Sequence, residues 1–183
     1  RDSSVTGVQT CALPISECFI ETWITLEGST AHVRNKLTCF RTDSRWETAP
    51  CSQEIPAVYS IGDLYHLYTY EGADPFTHAP LKEIENSGPP WASWGKKTTQ
   101  EKWAALVDDH QWGIGVYTPK TECFTGGFHG EHHGDVMDDA TGYIAPLAIE
   151  TLDKNSTYEY DYYLILGSLE EIRAFVYKAE GKG

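Results

Sequence analysis

Carboxylates stand at several positions where they could carry out acid–base chemistry on a glycosidic bond, which commonly needs a pair of them. Glu54 lies between a polar loop and an apolar strand, beside Pro56, where burial would favour its use as a general acid. Glu101, Asp108 and Asp109 are candidate partners. The chain has 27 acidic residues, so solvated surface charge is the alternative for each of them. The sequence therefore predicts Glu54 as the first catalytic candidate.

A stretch rich in glycine and histidine is the second candidate for chemistry. Residues 126–135 contain His129, His132, His133 and Asp135. Imidazole and carboxylate groups are ordinary ligands for zinc and related divalent metals, and His129 could also act in acid–base catalysis near neutral pH. The spacing is not the helical HExxH pattern. A metal site, a loop that contacts substrate and a solvated loop all stay open as interpretations.

Aromatic residues form a third set, because flat sugar faces stack on aromatic rings. Trp91 and Trp94 lie in a Pro/Gly-rich stretch, which favours exposure and contact with a saccharide. Trp112 and Tyr59 are further candidates for substrate binding. Trp103 and Trp112 lie in apolar strands, however, and large rings there more often build a core.

Two arginines could bind a carboxylate of the kind found in uronic acids. Arg34 is the candidate for substrate binding, and Arg173 is the other cation considered. A single arginine is often structural instead, because its planar fork pairs well with a protein carboxylate. The sequence contains no Walker loop, no dinucleotide-binding glycine motif, no GxSxG elbow and no kinase signature.

Composition limits the class of partner. The chain has 183 residues, a net charge of -13 and no apolar run that could span a membrane as a helix. Such acidity argues against nucleic acid and anionic membranes, which favour basic patches. A poly- or oligosaccharide and other domains of the same protein are the partners expected.

The N-terminal segment has an unusual origin. Residues 5–15 read Val-Thr-Gly-Val-Gln-Thr-Cys-Ala-Leu-Pro-Ile, which matches a translated short-read sequencing adapter. We interpret 1–15 as non-native sequence, with a genuine N-terminal tail as the alternative. Residues 16–183 are then expected to be one domain, a metagenomic fragment of a larger protein.

The remaining cysteines leave two interpretations open. Cys18, Cys39, Cys51 and Cys123 contain no CxxC pair, so a zinc ribbon is not indicated. Cys39 and Cys51 flank a polar stretch that a disulfide could close. Four free thiols are the alternative.

The elements that must position these residues are mostly strands. Aromatic and β-branched residues alternate between Gly- and Pro-rich turns, which is typical of β-structure. Strands are predicted at 19–26, 30–41, 57–61, 65–70, 103–107, 113–117, 143–150 and 157–166. The ranges 19–41 and 103–117 are predicted hairpins.

Two loops and a helix complete the predicted architecture. Residues 71–94 and 125–142 are expected to be long loops. Ser168 and Glu171 form a capping box before a predicted helix at 169–178. The fold class expected is all-β, a twisted antiparallel β-sandwich with one short C-terminal helix.

Five segments resemble a group of poorly characterised bacterial proteins. They are His-Val-Arg-Asn-Lys-Leu-Thr at 32–38, Gln-Glu-Ile-Pro-Ala-Val-Tyr at 53–59, Trp-Ala-Ala-Leu-Val-Asp at 103–108, Thr-Gly-Tyr-Ile-Ala-Pro at 141–146 and Glu-Ile-Arg-Ala-Phe-Val-Tyr at 171–177. This group is associated with secreted sugar-handling proteins and galactose-mutarotase-like β-supersandwiches. The resemblance implies carbohydrate as the ligand and a secreted or periplasmic location, and it transfers no catalytic motif.

The sequence-based expectation is a carbohydrate-active domain of a bacterial glycan-degrading protein. It would contribute to a glycoside hydrolase or lyase site, or bind glycan beside one. A non-catalytic structural or interaction domain and a metal-binding His-rich loop protein are the alternatives.

Overall fold

The structure is a computed structural model that describes residues 17–41, 49–85, 92–93 (backbone only), 99–130 and 140–182. The segment interpreted as non-native, 1–15, lies outside these residues. The described elements are, in chain order, β1 (Cys18–Glu27), β2 (Thr30–Cys39), β3 (Cys51–Glu54), β4 (Val58–Tyr59), β5 (His66–Thr69), β6 (Lys82–Ile84), β7 (Ala92–Ser93), β8 (Trp103–Val107), β9 (Trp112–Tyr117), β10 (Phe124–His129), β11 (Thr141–Glu150), β12 (Thr157–Ser168) and α1 (Leu169–Ala179).

The strands form two antiparallel sheets. The large sheet has the order β1-β2-β12-β9-β8-β5-β6, and the small sheet has the order β3-β11-β10-β7, with β4 also paired to β11. The predicted hairpins β1–β2 and β8–β9 are both present. The all-β sandwich expected from the alternating pattern is therefore confirmed.

The main core lies between the two sheets. Because side chains alternate across a strand, β8 and β9 supply one set of residues to this layer and another to the opposite face. The buried members of the core are Leu64, Leu67, Ala104, Leu106, Val116, Phe124 and Ile144.

The helix forms a third layer on the outer face of the large sheet. It packs against β8, β9 and β12, and a second buried cluster that includes Trp103, Ile165 and Ile172 fills the space beneath it. The capping box is present: Ser168 accepts the Glu171 amide, while the Glu171 carboxylate accepts the Ser168 backbone N–H. The predicted helix start is thereby confirmed.

Strands β1 and β2 and the first half of β12 form a region that we call the sheet wing. Strand β1 lies at the edge of the large sheet and is paired with β2. Large apolar side chains on β1 are exposed, namely Phe19, Ile20, Trp23, Ile24 and Leu26. Both faces of this strand therefore meet solvent.

The two predicted long loops were partly wrong. Within 125–142, β10 continues to His129, because Gly126 and Gly127 pair with Ile144 and Tyr143 of β11. The glycine-rich sequence predicts a loop there, whereas pairing with β11 stabilises it as a strand. Within 71–94, β6 and the backbone strand β7 are likewise present.

Candidate functional site

Glu101, one of the predicted catalytic residues, is fully buried. Its carboxylate accepts hydrogen bonds from Arg173 Nε at 3.2 Å and Nη2 at 3.0 Å, and from Trp103 Nε1 at 2.9 Å. Burial raises the pKa of Glu101, but the hydrogen bonds led by that of Arg173 outweigh burial and lower it. Because Glu101 has no exposed surface, its carboxylate is not accessible to a substrate. It binds Arg173 instead, so we assign a structural role to both residues.

Asp108 lies in the turn between β8 and β9. Its Oδ1 accepts the backbone N–H of His110 at 2.8 Å and that of Trp112 at 3.0 Å. An aspartate that caps a turn in this way is a common local motif. These contacts account for Asp108 without a catalytic role.

Glu54 and Tyr59, two further predicted site residues, come together on the small sheet. Their strands both pair with β11, and Glu54 is hydrogen-bonded to the buried Tyr143, whose ring is 4.9 Å from that of Tyr59. Burial, followed by the hydrogen bond to Glu54, raises the pKa of Tyr143. Glu54 itself is exposed, so the burial expected for it was wrong. Its observed partner is a phenol rather than the second carboxylate that hydrolysis commonly uses.

Asp109 belongs to an exposed polar cluster at the same end as the β8–β9 turn. His66 Nδ1 is 2.7 Å from Glu83 Oε1, and His66 Nε2 is 3.2 Å from Asp109 Oδ1. Burial lowers the pKa of His66, but the two carboxylates outweigh it and raise the pKa. The Tyr65 hydroxyl donates to Asp109, and this bond raises the pKa of Tyr65 to about 12. The raised pKa keeps the Tyr65 phenol protonated near neutral pH, so little phenolate is available to act as a base.

Several predicted site residues lie outside the described part of the chain. Trp91, Trp94, His132, His133 and Asp135 are all among them. His129 is described and is exposed at the end of β10. Within 17–41, 49–85, 99–130 and 140–182, no group of three or more His, Cys, Asp or Glu side chains is arranged to hold a metal ion.

The two tryptophans of the apolar strands differ. Trp103 has no exposed surface and belongs to the core beneath the helix, so the core interpretation is confirmed for it. Trp112 is 48 % exposed, so the core interpretation was wrong there. Its position opposite Ser168, at the far end of β12, separates it from the sheet wing.

The fifth predicted binding residue, Arg34, lies in a polar array on the sheet wing. Strand register places Trp23, Arg34 and Asp161 side by side in one cross-strand row. The adjacent row contains Glu21, Lys36 and Glu159. Residues two apart on a strand share a face, so these six side chains project from the same side of the sheet. We call this array the sheet-face site.

The sheet-face site has the shape and exposure of a shallow binding surface. Trp23, Arg34, Lys36, Glu159 and Asp161 line a cavity of about 410 Å³, together with Asn35 and Tyr160. Ligand sites for small molecules are typically about 300–1,000 Å³ in volume. The Trp23 side chain is 45 % exposed although the Arg34 guanidinium lies 5.5 Å from its ring centroid.

One edge of the sheet-face site is held by a histidine. His32 Nε2 is 2.9 Å from Asp161 Oδ2, and the His32 ring stacks on Tyr163 with centroids 4.2 Å apart. Tyr163 in turn contacts Phe175 of the helix. The Asp161 carboxylate is therefore positioned by a chain of contacts that reaches the core.

Within the described part of the chain, the charged groups at the centre of the site have no ion-pair partner. Among the residues that the structure describes, Arg34, Lys36 and Glu159 form no ion pair within 4.0 Å. A larger cavity of about 480 Å³ lies beside the helix, but the cation that lines it, Arg173, is already paired with Glu101. The sheet-face site therefore offers the more available donors and acceptors.

Sequence reasoning found Arg34 but missed the residues around it. Trp23, Lys36, Glu159 and Asp161 come from three strands, and their meeting depends on register. The available signal was the alternation of polar residues at 32, 34 and 36 in β2 with apolar ones at 33 and 37.

Comparisons with known proteins add no relative. No known protein family matches the chain, and no curated protein matches it. In the described part of the chain, none of the helical structure has the length and apolar character needed to cross a membrane.

Proposed function

We propose that this domain binds a saccharide on the sheet-face site. The observation that carries the proposal is an exposed indole, Trp23, on a β-sheet face beside Arg34, Lys36 and Glu159, to which the described residues supply no ion-pair partner. Saccharides present both apolar C–H faces and many hydroxyls, so their recognition needs an aromatic surface together with several polar groups.

Each side chain has a distinct part in this proposal. The exposed portion of the Trp23 ring would pack against a sugar face, and the Arg34 guanidinium, 5.5 Å from the ring centroid, would help to hold the ring in place. Arg34 and Lys36 would donate hydrogen bonds to hydroxyls or to a uronic acid carboxylate, for which the guanidinium fork is well suited. Glu159 would accept hydrogen bonds from hydroxyls.

The geometry favours binding over hydrolysis at this site. Glycoside hydrolases shelter one carboxylic acid so that it stays protonated. Glu159 is exposed, and the Asp161 side chain is 38 % exposed and in contact with His32. Neither carboxylate has the sheltered surroundings of a general acid.

Binding can be measured by titrating the protein with neutral and uronate-containing oligosaccharides. We expect Trp23→Ala to weaken binding by about tenfold, which corresponds to 1.4 kcal/mol and is within reach of one aromatic contact. Trp112→Ala is the matched control, since it removes an equally exposed indole about 23 Å away along β12. Equal affinity of the wild type and Trp23→Ala for every bound saccharide would refute the proposal.

Arg34→Ala separates the two saccharide classes. Loss of the guanidinium should weaken a uronate-containing ligand more than its neutral counterpart, because only the former has a carboxylate for Arg34 to bind. Equal weakening of both would assign Arg34 to hydroxyl recognition.

Hydrolysis on the small sheet is the second candidate function. It would use the hydrogen-bonded pair of Tyr143 and Glu54 beside the exposed ring of Tyr59, with the phenol in place of the usual second carboxylate. Glu54→Gln should then abolish turnover of a glycan that the protein cleaves, while Glu122→Gln, an exposed control, leaves it unchanged. Full turnover by Glu54→Gln would remove this candidate.

A further inference from the structure

The open end of the β1–β2 hairpin places two cysteines directly opposite each other. Cys18 and Cys39 are register partners. The neighbouring pair is hydrogen-bonded, since the Phe40 amide donates to the Glu17 carbonyl at 2.8 Å. The Cys39 amide points the other way, to the Ser156 carbonyl of the segment before β12, at 2.8 Å.

These hydrogen bonds identify the type of strand pair. Hydrogen-bonded and non-hydrogen-bonded pairs alternate along an antiparallel ladder, so Cys18 and Cys39 form a non-hydrogen-bonded pair. Such pairs have Cα atoms about 4.5 Å apart, which lies within the range of about 4.4–6.8 Å that a disulfide spans. Both side chains also project from the same face.

The two thiols already contact each other and are reachable. Cys18 is hydrogen-bonded to Cys39, and burial, followed by that contact, raises the pKa of the Cys18 thiol. Both residues line a small cavity of about 170 Å³ together with Glu17, Arg41, Asp153 and Lys154. Cys51, the partner considered for Cys39 from the sequence, lies on the small sheet paired with Glu150.

We propose that Cys18 and Cys39 are a redox modification site that forms a cross-strand disulfide on reaction with a small-molecule disulfide. One thiolate attacks the oxidant, forms a mixed disulfide and releases one small thiol. The second thiolate then attacks the protein sulfur of the mixed disulfide and releases the other small thiol. The cysteines are oxidised, the oxidant is reduced to two thiols, and their two protons come from the two cysteines.

The bond would fasten the edge strand to the rest of the sheet. Strand β1 carries Trp23 and Glu21 and is hydrogen-bonded to β2. A disulfide at its first residue closes the whole hairpin into a covalent loop, which restricts the unfolded chain. This inference concerns the hairpin itself and stands whether or not a saccharide binds the sheet-face site.

The test uses the full chain with serine at Cys11, Cys51 and Cys123, so that only Cys18 and Cys39 can react. After exposure to glutathione disulfide, remaining thiols are alkylated and the intact mass is measured. We expect a mass lower by two hydrogens, no alkylation and no glutathione adduct, all reversed by reductant. Two alkylated thiols, or a stable glutathione adduct, would overturn the proposal.

A control variant and a measurement on the wild-type chain test whether the result depends on the three serine substitutions. Cys18→Ser in the same chain should retain one glutathione at Cys39, because the second attack is lost. In the wild-type chain, non-reducing peptide mapping should recover Cys18 joined to Cys39, and oxidation should raise the melting midpoint by on the order of 5–10 °C. Joining of Cys39 to Cys51, or no rise in the midpoint, would count against the proposal.

Discussion

Removing the buried charge of Glu101 should destabilise this protein more than most single substitutions. Its carboxylate accepts five hydrogen bonds: two from Arg173, and one each from Trp103, the Phe76 amide and Tyr177. Glu101→Gln keeps the shape but replaces one acceptor oxygen with an NH₂ group. The new NH₂ group would face donors, and the Arg173 guanidinium would lose its counter-charge.

The size of the effect follows from the burial of both partners. Glu101 has no exposed surface, and Arg173 is 8 % exposed, so the arginine cannot recover its hydration. Breaking a buried ion pair from one side costs about 3–5 kcal/mol. At about 2–4 °C per kcal/mol for a domain of this size, the melting midpoint should fall by about 6–20 °C.

The assay is a thermal melt followed by circular dichroism, repeated as a urea titration. Glu122→Gln is the matched control, because its side chain is exposed, and it should change the free energy of unfolding by no more than about 0.5 kcal/mol. Glu101→Leu combined with Arg173→Met should recover part of the loss, since replacing both partners removes the unpaired charge. A Glu101→Gln midpoint equal to that of Glu122→Gln would refute the structural interpretation of Glu101.

The pair of Glu101 and Arg173 also determines how the stability of the protein changes at low pH. The lowered pKa of Glu101 means that its stabilisation is present above its ordinary value of 4.5 and is lost as the pH falls through the folded value. Unfolding measured below about pH 4.5 should therefore be less pH-dependent in Glu101→Gln than in the wild type. An equal pH dependence of unfolding in Glu101→Gln and the wild type over this range would contradict the prediction.

Two further predictions concern His66 and Gly115. Because the pKa of His66 is raised in the folded protein, its protonation stabilises the fold below the ordinary value of 6.5, and this contribution should disappear as the pH rises through the folded value. His66→Gln should remove that part of the pH dependence of unfolding, whereas His110→Gln should retain it. Identical pH profiles for the two variants would contradict the reasoning. Gly115→Ala places a methyl group against the Ile172 side chain beneath the helix, which should lower the free energy of unfolding by about 1–3 kcal/mol. In a double-mutant cycle, Ile172→Ala should relieve part of this loss. Strict additivity of the two substitutions would refute the proposed collision.

The local parts of this fold could be predicted from the sequence. The capping box at Ser168 depends on residues three apart, and the β1–β2 hairpin on a short turn, so each signal lies within one segment. Strand β10 was missed because its glycines carry no strand preference and are stabilised by pairing with β11.

The sites were less predictable because they depend on register and distant contacts. The sequence predicts Glu101 as a catalytic candidate, but its partner Arg173 comes from α1, far away in the sequence. The row of Trp23, Arg34 and Asp161 forms only when β1, β2 and β12 align in one register. A single sequence contains the residue types but no direct measure of that alignment.

The edge position of β1 also affects which part of the protein opens first. Detaching β1 breaks its ladder with β2 but exposes little new apolar surface, because Ile24 and Leu26 already face solvent. Its opening free energy should therefore lie below that of global unfolding, and its amide hydrogens should exchange earlier than those of β8. The strand that carries Trp23 would then open as a separate unit of low stability. Binding of a saccharide, or a disulfide between Cys18 and Cys39, would slow the exchange of its amide hydrogens.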